Sequence, residues 1–294
     1  MKKAQLKYNL INISIIFLTA LLFVYEFFNV DILFIENNVI YIIIIATTAC
    51  LVNFIKACRL YLALYGSDLK ALDYIKTYCK VIPVGLVFPY KLGEFFRIYC
   101  YGKALNNLLQ GIVTVMLDRF MDTMALVTII LILWVFNGGH ISVVTYVLLL
   151  FLLFALLLYF LYPGIYLFWK KYFLKANATE RKLVFLKVLD ALNNVYREIC
   201  NVLKGRGIVL YFLSLIAWAM EIGSLTLLCG IENKNRLNDI ISQYLLSAIG
   251  VGASIELKRF VFISIMLLMV VYCIIKIYEV LLRKGARNEG SSNI

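Results

Sequence analysis

The stretch Val81–Asp122, VIPVGLVFPYKLGEFFRIYCYGKALNNLLQGIVTVMLDRFMD, sets the architecture of this chain. It is apolar enough to lie at membrane depth. Yet Pro83, Pro89, several glycines and the charged residues Lys91, Glu94, Arg97, Asp118, Arg119 and Asp122 interrupt it. In hydrocarbon every backbone N–H and C=O needs a partner, so a broken backbone persists only where protein or water covers it. Charges at that depth cost roughly 2.5–3.5 kcal/mol each on insertion scales and normally face a bundle interior or a polar cavity. The segment therefore reads as a re-entrant hairpin or broken helix pair over Ile82–Tyr101, followed by a long tilted helix over Asn106–Phe136. A single proline-kinked helix is the plainer alternative.

The rest of the 294 residues fits around such a segment. Hydrophobic residues make up 63% of the chain, only 16% is charged, and the mean hydropathy is +0.90. These values exclude a soluble domain and indicate an all-α, polytopic integral membrane protein. About six full transmembrane helices are expected: Asn9–Val24, Val39–Ile55, Asn106–Phe136, Ile141–Leu161, Ile208–Cys229 and Arg259–Leu282. The first apolar run has Asn9 and Asn12 at its start and no small-residue cleavage site after Val24, so it reads as a retained helix. Ile240–Ile255, short and glycine-containing, is a second re-entrant candidate. Residues 1–284 form one transmembrane domain, with 208–284 as a second half in the manner of an inverted repeat. Residues 285–294 read as a disordered cytoplasmic tail.

The net charge of +12 has its source in basic residues gathered in the loops of one side, as the positive-inside bias requires. Three lysines in Met1–Lys7 place the N-terminus in the cytoplasm, and Lys56 and Arg59 mark the cytoplasmic exit of the second span. Ser67 reads as the N-cap of an amphipathic interfacial helix ended or kinked by Pro83. The basic connection Pro163–Gly207 is expected on the cytoplasmic side, with an interfacial helix through Val184–Ile199. An anionic partner is then a lipid headgroup or a lipid-linked phosphate, and nucleic acid is not expected. The seven cysteines are scattered without a C-x-x-C pair and read as buried small hydrophobes. His140 is the only histidine, so histidine-clustered metal sites are excluded, and no metal or cofactor is expected. No phosphate-cradling G-x-x-x-x-G-K-[ST], no G-x-G-x-x-G and no G-x-S-x-G occurs, which argues against an ATP-driven pump unless a partner supplies the motor.

Two charge constellations are candidates for a site. Lys91, Glu94 and Arg97 share one helical face; Gly93 beside them lets backbone approach a ligand, and Arg97 offers a planar fork to a phosphate oriented by Glu94. Its plain alternative is an interfacial salt bridge. Asp118 and Asp122 share a face, and Arg119 pairs with Asp122 at i,i+3; this is the stronger signal of the two, with a structural ion pair to a neighbouring helix as its plain alternative. Glu221, alone in its apolar span, requires a partner from elsewhere, for which Arg97 or Arg119 would serve.

P-Y-K-L-G-E-F-F-R (Pro89–Arg97) followed by L-D-R-F-M-D (Leu117–Asp122) resembles the lysylphosphatidylglycerol synthase transmembrane, or flippase-like, family. Its members show a P-x-x-x-G-E-x-x-R block, matched by Pro89, Gly93, Glu94 and Arg97, then an E-R-x-x-D block, matched by Arg119 and Asp122 with Asp118 in place of the glutamate. Trp218 and Glu221 resemble a later W-x-x-E. A P-G-G-x-G-x-x-E block has no counterpart in register; AIGVGASIE (Ala248–Glu256) occupies that ground. The resemblance implies translocation of an anionic or lipid-linked molecule between leaflets of the bacterial cytoplasmic membrane, in envelope lipid or polysaccharide biosynthesis. Arg97 and Arg119 would bind phosphate, while Glu94, Asp118, Asp122 and Glu221 would hold the arginines. It does not imply lysyl transfer, which belongs to a separate soluble domain not expected here; the chain reads as a transporter rather than an enzyme. A membrane-embedded glycosyl or headgroup transferase, and a non-catalytic partner of an envelope glycosyltransferase, are the rival classes.

The charge bias gives a direct expectation for topology. Single cysteines at Gly138 and Asn235 on a cysteine-free background should react with an impermeant thiol reagent from outside, and cysteines at Lys171 and in the tail only after permeabilisation. A tail that labels from outside would mean that Ile240–Ile255 crosses fully.

Overall fold

A computed structural model describes residues 2–28, 39–67, 69–88, 92–137, 143–175, 180–229 and 255–291. These are helical apart from turns and one isolated bridge between Tyr65 and Ser67. The helices are α1 (Lys2–Phe27), α2 (Val39–Ala63), α3 (Ala71–Val87), α4 (Gly93–Ala104), α5 (Leu108–Asn137), α6 (Val143–Lys175), α7 (Glu180–Leu203), α8 (Gly207–Cys229) and α9 (Ile255–Ser291). Five of them, α1, α2, α6, α8 and α9, are long and apolar enough to cross a membrane. The 30-residue α5 has the length of a crossing too, with Asp118, Arg119 and Asp122 in its first half. The protein is an all-helical, multi-pass membrane protein.

The interrupted stretch forms a hairpin. Gly85 of α3 lies against Gly93 of α4, and at the other end Tyr74 stacks on Tyr101 with centroids 6.4 Å apart. The two helices are therefore antiparallel, and the 12 residues of α4 are too few to span a bilayer. The expected broken pair is present, with its break between Val87 and Gly93. A three-residue turn then reverses the chain into α5. Asn106 adopts a left-handed φ of 51° there, a conformation that asparagine tolerates better than most residues. Asn107 caps α5 by accepting a hydrogen bond from the Gln110 amide (3.3 Å).

Six helices close a ring: α2 packs on α8, α8 on α5, α5 on α4, α4 on α3, α3 on α9 and α9 back on α2. Outside it, α1 lies against α3, α6 against α5, and α7 against α5 and α6. Among lipid tails helices gain little from burying apolar surface, so close packing and interhelical hydrogen bonds must hold the ring. Tyr74 donates to the Ala57 carbonyl at 2.5 Å and Tyr78 to the Asn53 carbonyl at 3.2 Å, which fixes α3 on α2. Glycines bring α4 close to both neighbours. A Cβ on Gly93 would stand 2.5 Å from the Gly85 Cα, and one on Gly111 would stand 2.6 Å from the Gly102 amide nitrogen.

Several boundaries differ from the sequence reading. Pro83 lies inside α3, which continues to Val87, and Pro163 lies inside α6, which runs on to Lys175. A buried membrane helix has no water to take over freed backbone groups, so extending the helix past a proline costs less than leaving it. Ser67 does not cap α3; it sits in the preceding turn and donates to the Leu64 carbonyl (2.7 Å) at the end of α2. The stretch Val184–Ile199 is helical as expected, within α7. Helix α9 reaches Ser291, through ground where the composition suggests an irregular tail. The second re-entrant candidate up to residue 254, Lys91, Gly138, His140 and Asn235 lie outside the described residues.

The glycine contacts yield a stability prediction. Gly111→Ala should destabilise the solubilised protein by roughly 1–3 kcal/mol, the usual cost of overpacking, and lower its melting temperature. Gly164→Ala, where a Cβ meets nothing within 4 Å, should melt at the parent temperature or above. Equal melting of all three proteins would show that the α4–α5 crossing does not depend on glycine.

Candidate functional site

The ring encloses a cavity of about 360 Å³. Every helix of the ring contributes to its wall, and Val144 and Leu148 of α6 complete it. Among the described residues its charged lining is evenly divided: Lys56, Arg59, Arg97 and Arg119 against Glu94, Asp118, Asp122 and Glu221.

Arg59 sits at the centre, its side chain 3% exposed. Its Nε donates to Asp118 Oδ1 at 2.9 Å and Nη2 makes a short bond to the same oxygen. Nη1 bonds closely to Asp122 Oδ1 and donates to Ser214 Oγ at 2.7 Å. The guanidinium thus spans two carboxylates one turn apart on α5 and a hydroxyl on α8, which only a planar fork can do at once. Arg97 from α4 takes the other side of Asp118 (Nη2 to Oδ2, 2.5 Å) and lies 3.5 Å from Glu94. Glu94 in turn accepts a short bond from Arg119. The second corner is separate: Lys56 Nζ lies 2.6 Å from Glu221 Oε2 and 5.5 Å from the centroid of Trp218.

The sequence-predicted residues Gly93, Glu94, Arg97, Asp118, Arg119, Asp122 and Glu221 are brought together here. Gly93 acts through packing, seating α4 on α3, and Glu94 through its carboxylate on the cavity wall. Two details differ. The Arg119–Asp122 pair expected within one helix is long at 3.9 Å, because Arg119 reaches across to Glu94 instead. Glu221 is met by Lys56, not by Arg97 or Arg119. Lys56 and Arg59, read from sequence as flanking charges at a cytoplasmic exit, are cavity residues; Arg59 has the most partners of any of them.

Not all polar capacity is used internally. Arg97 Nε, Glu94 Oε2 and Ser264 Oγ are buried and make no hydrogen bond among the described residues. Buried polar atoms of this kind normally find partners, and all three residues line the cavity. Arg119, whose side chain is 45% exposed, is the most exposed of the charged cavity residues.

A family model described as "Lysylphosphatidylglycerol synthase TM region" matches residues 9–232. The chain belongs to this family. The match covers the P-x-x-x-G-E-x-x-R, D-R-x-x-D and W-x-x-E blocks, and apart from Pro89, outside the described residues, these blocks meet in the one cavity or its packing. No curated protein and no solved structure matches the chain. Lys56 and Arg59 also lie within the matched span, on the helix that faces all three blocks.

The network predicts an asymmetry between its arginines. Arg59→Gln leaves buried Asp122 with only the long 3.9 Å approach of Arg119 and Asp118 with Arg97 alone, and should cost roughly 3–5 kcal/mol; Arg59→Lys keeps the charge but cannot span Asp118, Asp122 and Ser214, and should also melt well below the parent. Arg119→Gln, at an exposed pair, should change stability by about 1 kcal/mol or less. Thermal or denaturant unfolding in detergent reads all three. Parent-like melting of Arg59→Lys would show that the fork is not what holds the ring.

Proposed function

We propose that this member of the lysylphosphatidylglycerol synthase TM region family translocates an anionic or lipid-linked molecule between leaflets of the bacterial cytoplasmic membrane, serving envelope lipid or polysaccharide synthesis, with its N-terminus in the cytoplasm. The observation that carries this reading is a cavity inside the helix ring whose described charges balance and whose most exposed charged side chain is Arg119. A volume of about 360 Å³ is near the lower end for small-molecule sites, roughly 300–1,000 Å³. It suits one polar headgroup, with the acyl or polyprenyl tails left in lipid.

In this reading the arginines have different tasks. Arg59 and Arg97 are buried and bound to Asp118 and Asp122, so they shape the wall. Arg119 is the group free to exchange partners. A headgroup phosphate takes its fork from Glu94, and Glu94 turns to Arg97, already 3.5 Å away. Each charge keeps a partner throughout, which avoids the cost of a bare charge in low dielectric. Because the anion replaces a carboxylate and adds no net attraction, binding stays weak enough for release, as conduction and transport require. The transferase alternative draws less support, because all four acidic residues are engaged by basic side chains and none is placed as a free base.

Reconstituted vesicles with fluorescent anionic, zwitterionic and polyprenyl-phosphate lipids test the proposal. Arg119→Gln should slow translocation of the accepted anionic lipid by tenfold or more, the loss of one charge-assisted contact, while melting like the parent. Translocation at the parent rate in Arg119→Gln would remove the residue from the path, and absence of translocation of any lipid by the parent would remove the function.

A further inference from the structure

A second basic site lies outside the ring, where α1 crosses the α3–α4 hairpin. Lys103 Nζ stands 3.7 Å from the centroid of the Tyr8 ring and Lys80 Nζ 5.4 Å from the same centroid. Lys80 is also 5.6 Å from the Phe96 centroid. It donates long hydrogen bonds to the Tyr8 hydroxyl (3.3 Å) and Asn12 Oδ1 (3.4 Å) and also lies against the Cys100 thiol, with no carboxylate among these partners. An ammonium group has three donors to place. Every charge in the central cavity has an opposite partner, but none of the described ion pairs includes Lys80 or Lys103.

Two cations gathered around one ring repel each other. The aromatic faces attract them, though more weakly than a carboxylate would. An anion within reach of both ammonium groups removes the repulsion and offers them a stronger acceptor than a hydroxyl, an amide or a ring face. The level in the membrane points to its source. In the sequence the predominantly apolar run of α1 follows Lys7, so lysines packed around Tyr8 sit where hydrocarbon gives way to headgroups. Ile11, one turn further into that span, is exposed, leaving an apolar surface for an acyl chain beside the basic pair. Lys2, Lys3 and Lys7 precede Tyr8 in sequence and add to the positive potential that draws anionic lipid to this level.

We infer that Lys80 and Lys103, with Tyr8 between them, bind the phosphate of an anionic membrane lipid at a site separate from the central cavity. This lipid seats α1 against the hairpin and is not the transported molecule. The inference does not rest on the translocation reading.

Delipidated full-length protein, titrated in detergent with phosphatidylglycerol, phosphatidylcholine or inorganic phosphate and read by native mass spectrometry, tests it. The Lys80→Gln/Lys103→Gln double variant should lose phosphatidylglycerol affinity by about tenfold or more, as expected for charge-assisted hydrogen bonds, with phosphatidylcholine binding unchanged. Lys80→Arg/Lys103→Arg should retain it. If the double variant fails to fold, Lys103→Gln alone alters an exposed side chain and should show a smaller loss in the same direction. The lysine-dependent loss should persist on an Arg119→Gln background. Its disappearance there would place the lipid in the cavity and overturn the assignment. Equal phosphatidylglycerol affinity in folded parent and lysine variants would also overturn it, as would lysine-dependent binding of inorganic phosphate as tight as that of the lipid.

Discussion

Arg59 holds its charge between Asp118 and Asp122 in a place where water cannot compensate either sign. The carboxylates belong to α5, the arginine to α2, and the hydroxyl of Ser214 that completes the fork to α8. Arg97 attaches α4 to the same Asp118. One ion cluster therefore joins four of the six helices in the ring, and the glycine contacts of α4 decide how closely they approach. A charge at bilayer depth costs about 2.5–3.5 kcal/mol, so eight cavity charges left unpaired would cost on the order of 20 kcal/mol. That exceeds the roughly 5–15 kcal/mol by which folded proteins are stable. Pairing them is a condition for this helix arrangement to exist.

The same condition constrains how the cavity works. A buried ion pair replaced by apolar residues often leaves a protein as stable or more so. Stability alone thus gives no reason to keep the buried pairs of Arg59 and Arg97 with Asp118 and Asp122 inside a membrane protein. On the proposed reading their value is exchange: carboxylates around Arg119 can hand it to an incoming anion and take another arginine in return. Arg59 cannot take part, since all its nitrogens are engaged; it keeps Asp118 and Asp122 in place while the outer pair rearranges.

Much of this was legible in the chain. Prolines, glycines and charges inside an apolar stretch marked the hairpin and α5, because each is costly in hydrocarbon unless other protein covers it. The helix end at Pro163 was misread, and of the two readings of Pro83 the helix end does not hold, because rules learned in water underestimate the cost of ending a helix in lipid. Lys56 and Arg59 were hidden by their position near the end of an apolar run, where a basic residue ordinarily marks the cytoplasmic side. The charge count could have exposed them. Glu94, Asp118, Asp122 and Glu221 are four acids in apolar stretches, against Lys91, Arg97 and Arg119 as bases. At least one more cation was called for from another helix, and α2 supplies Lys56 and Arg59.

The same arithmetic separates the protein's two basic environments. Inside the ring positive charge is met by carboxylates of the chain itself, so a ligand there must displace one. Around Tyr8 the cations have no carboxylate among the described residues and an anion need displace nothing. A site of the first kind exchanges its ligand readily; a site of the second kind retains it. That difference follows from where the acids lie. Asp118 and Asp122 are one turn apart on α5 and cannot face both the cavity and α1, so neutralising the inner arginines leaves the α1 face of the hairpin positive. The retained anion then becomes part of the structure of that face, and the exchanged one becomes the candidate cargo of the cavity.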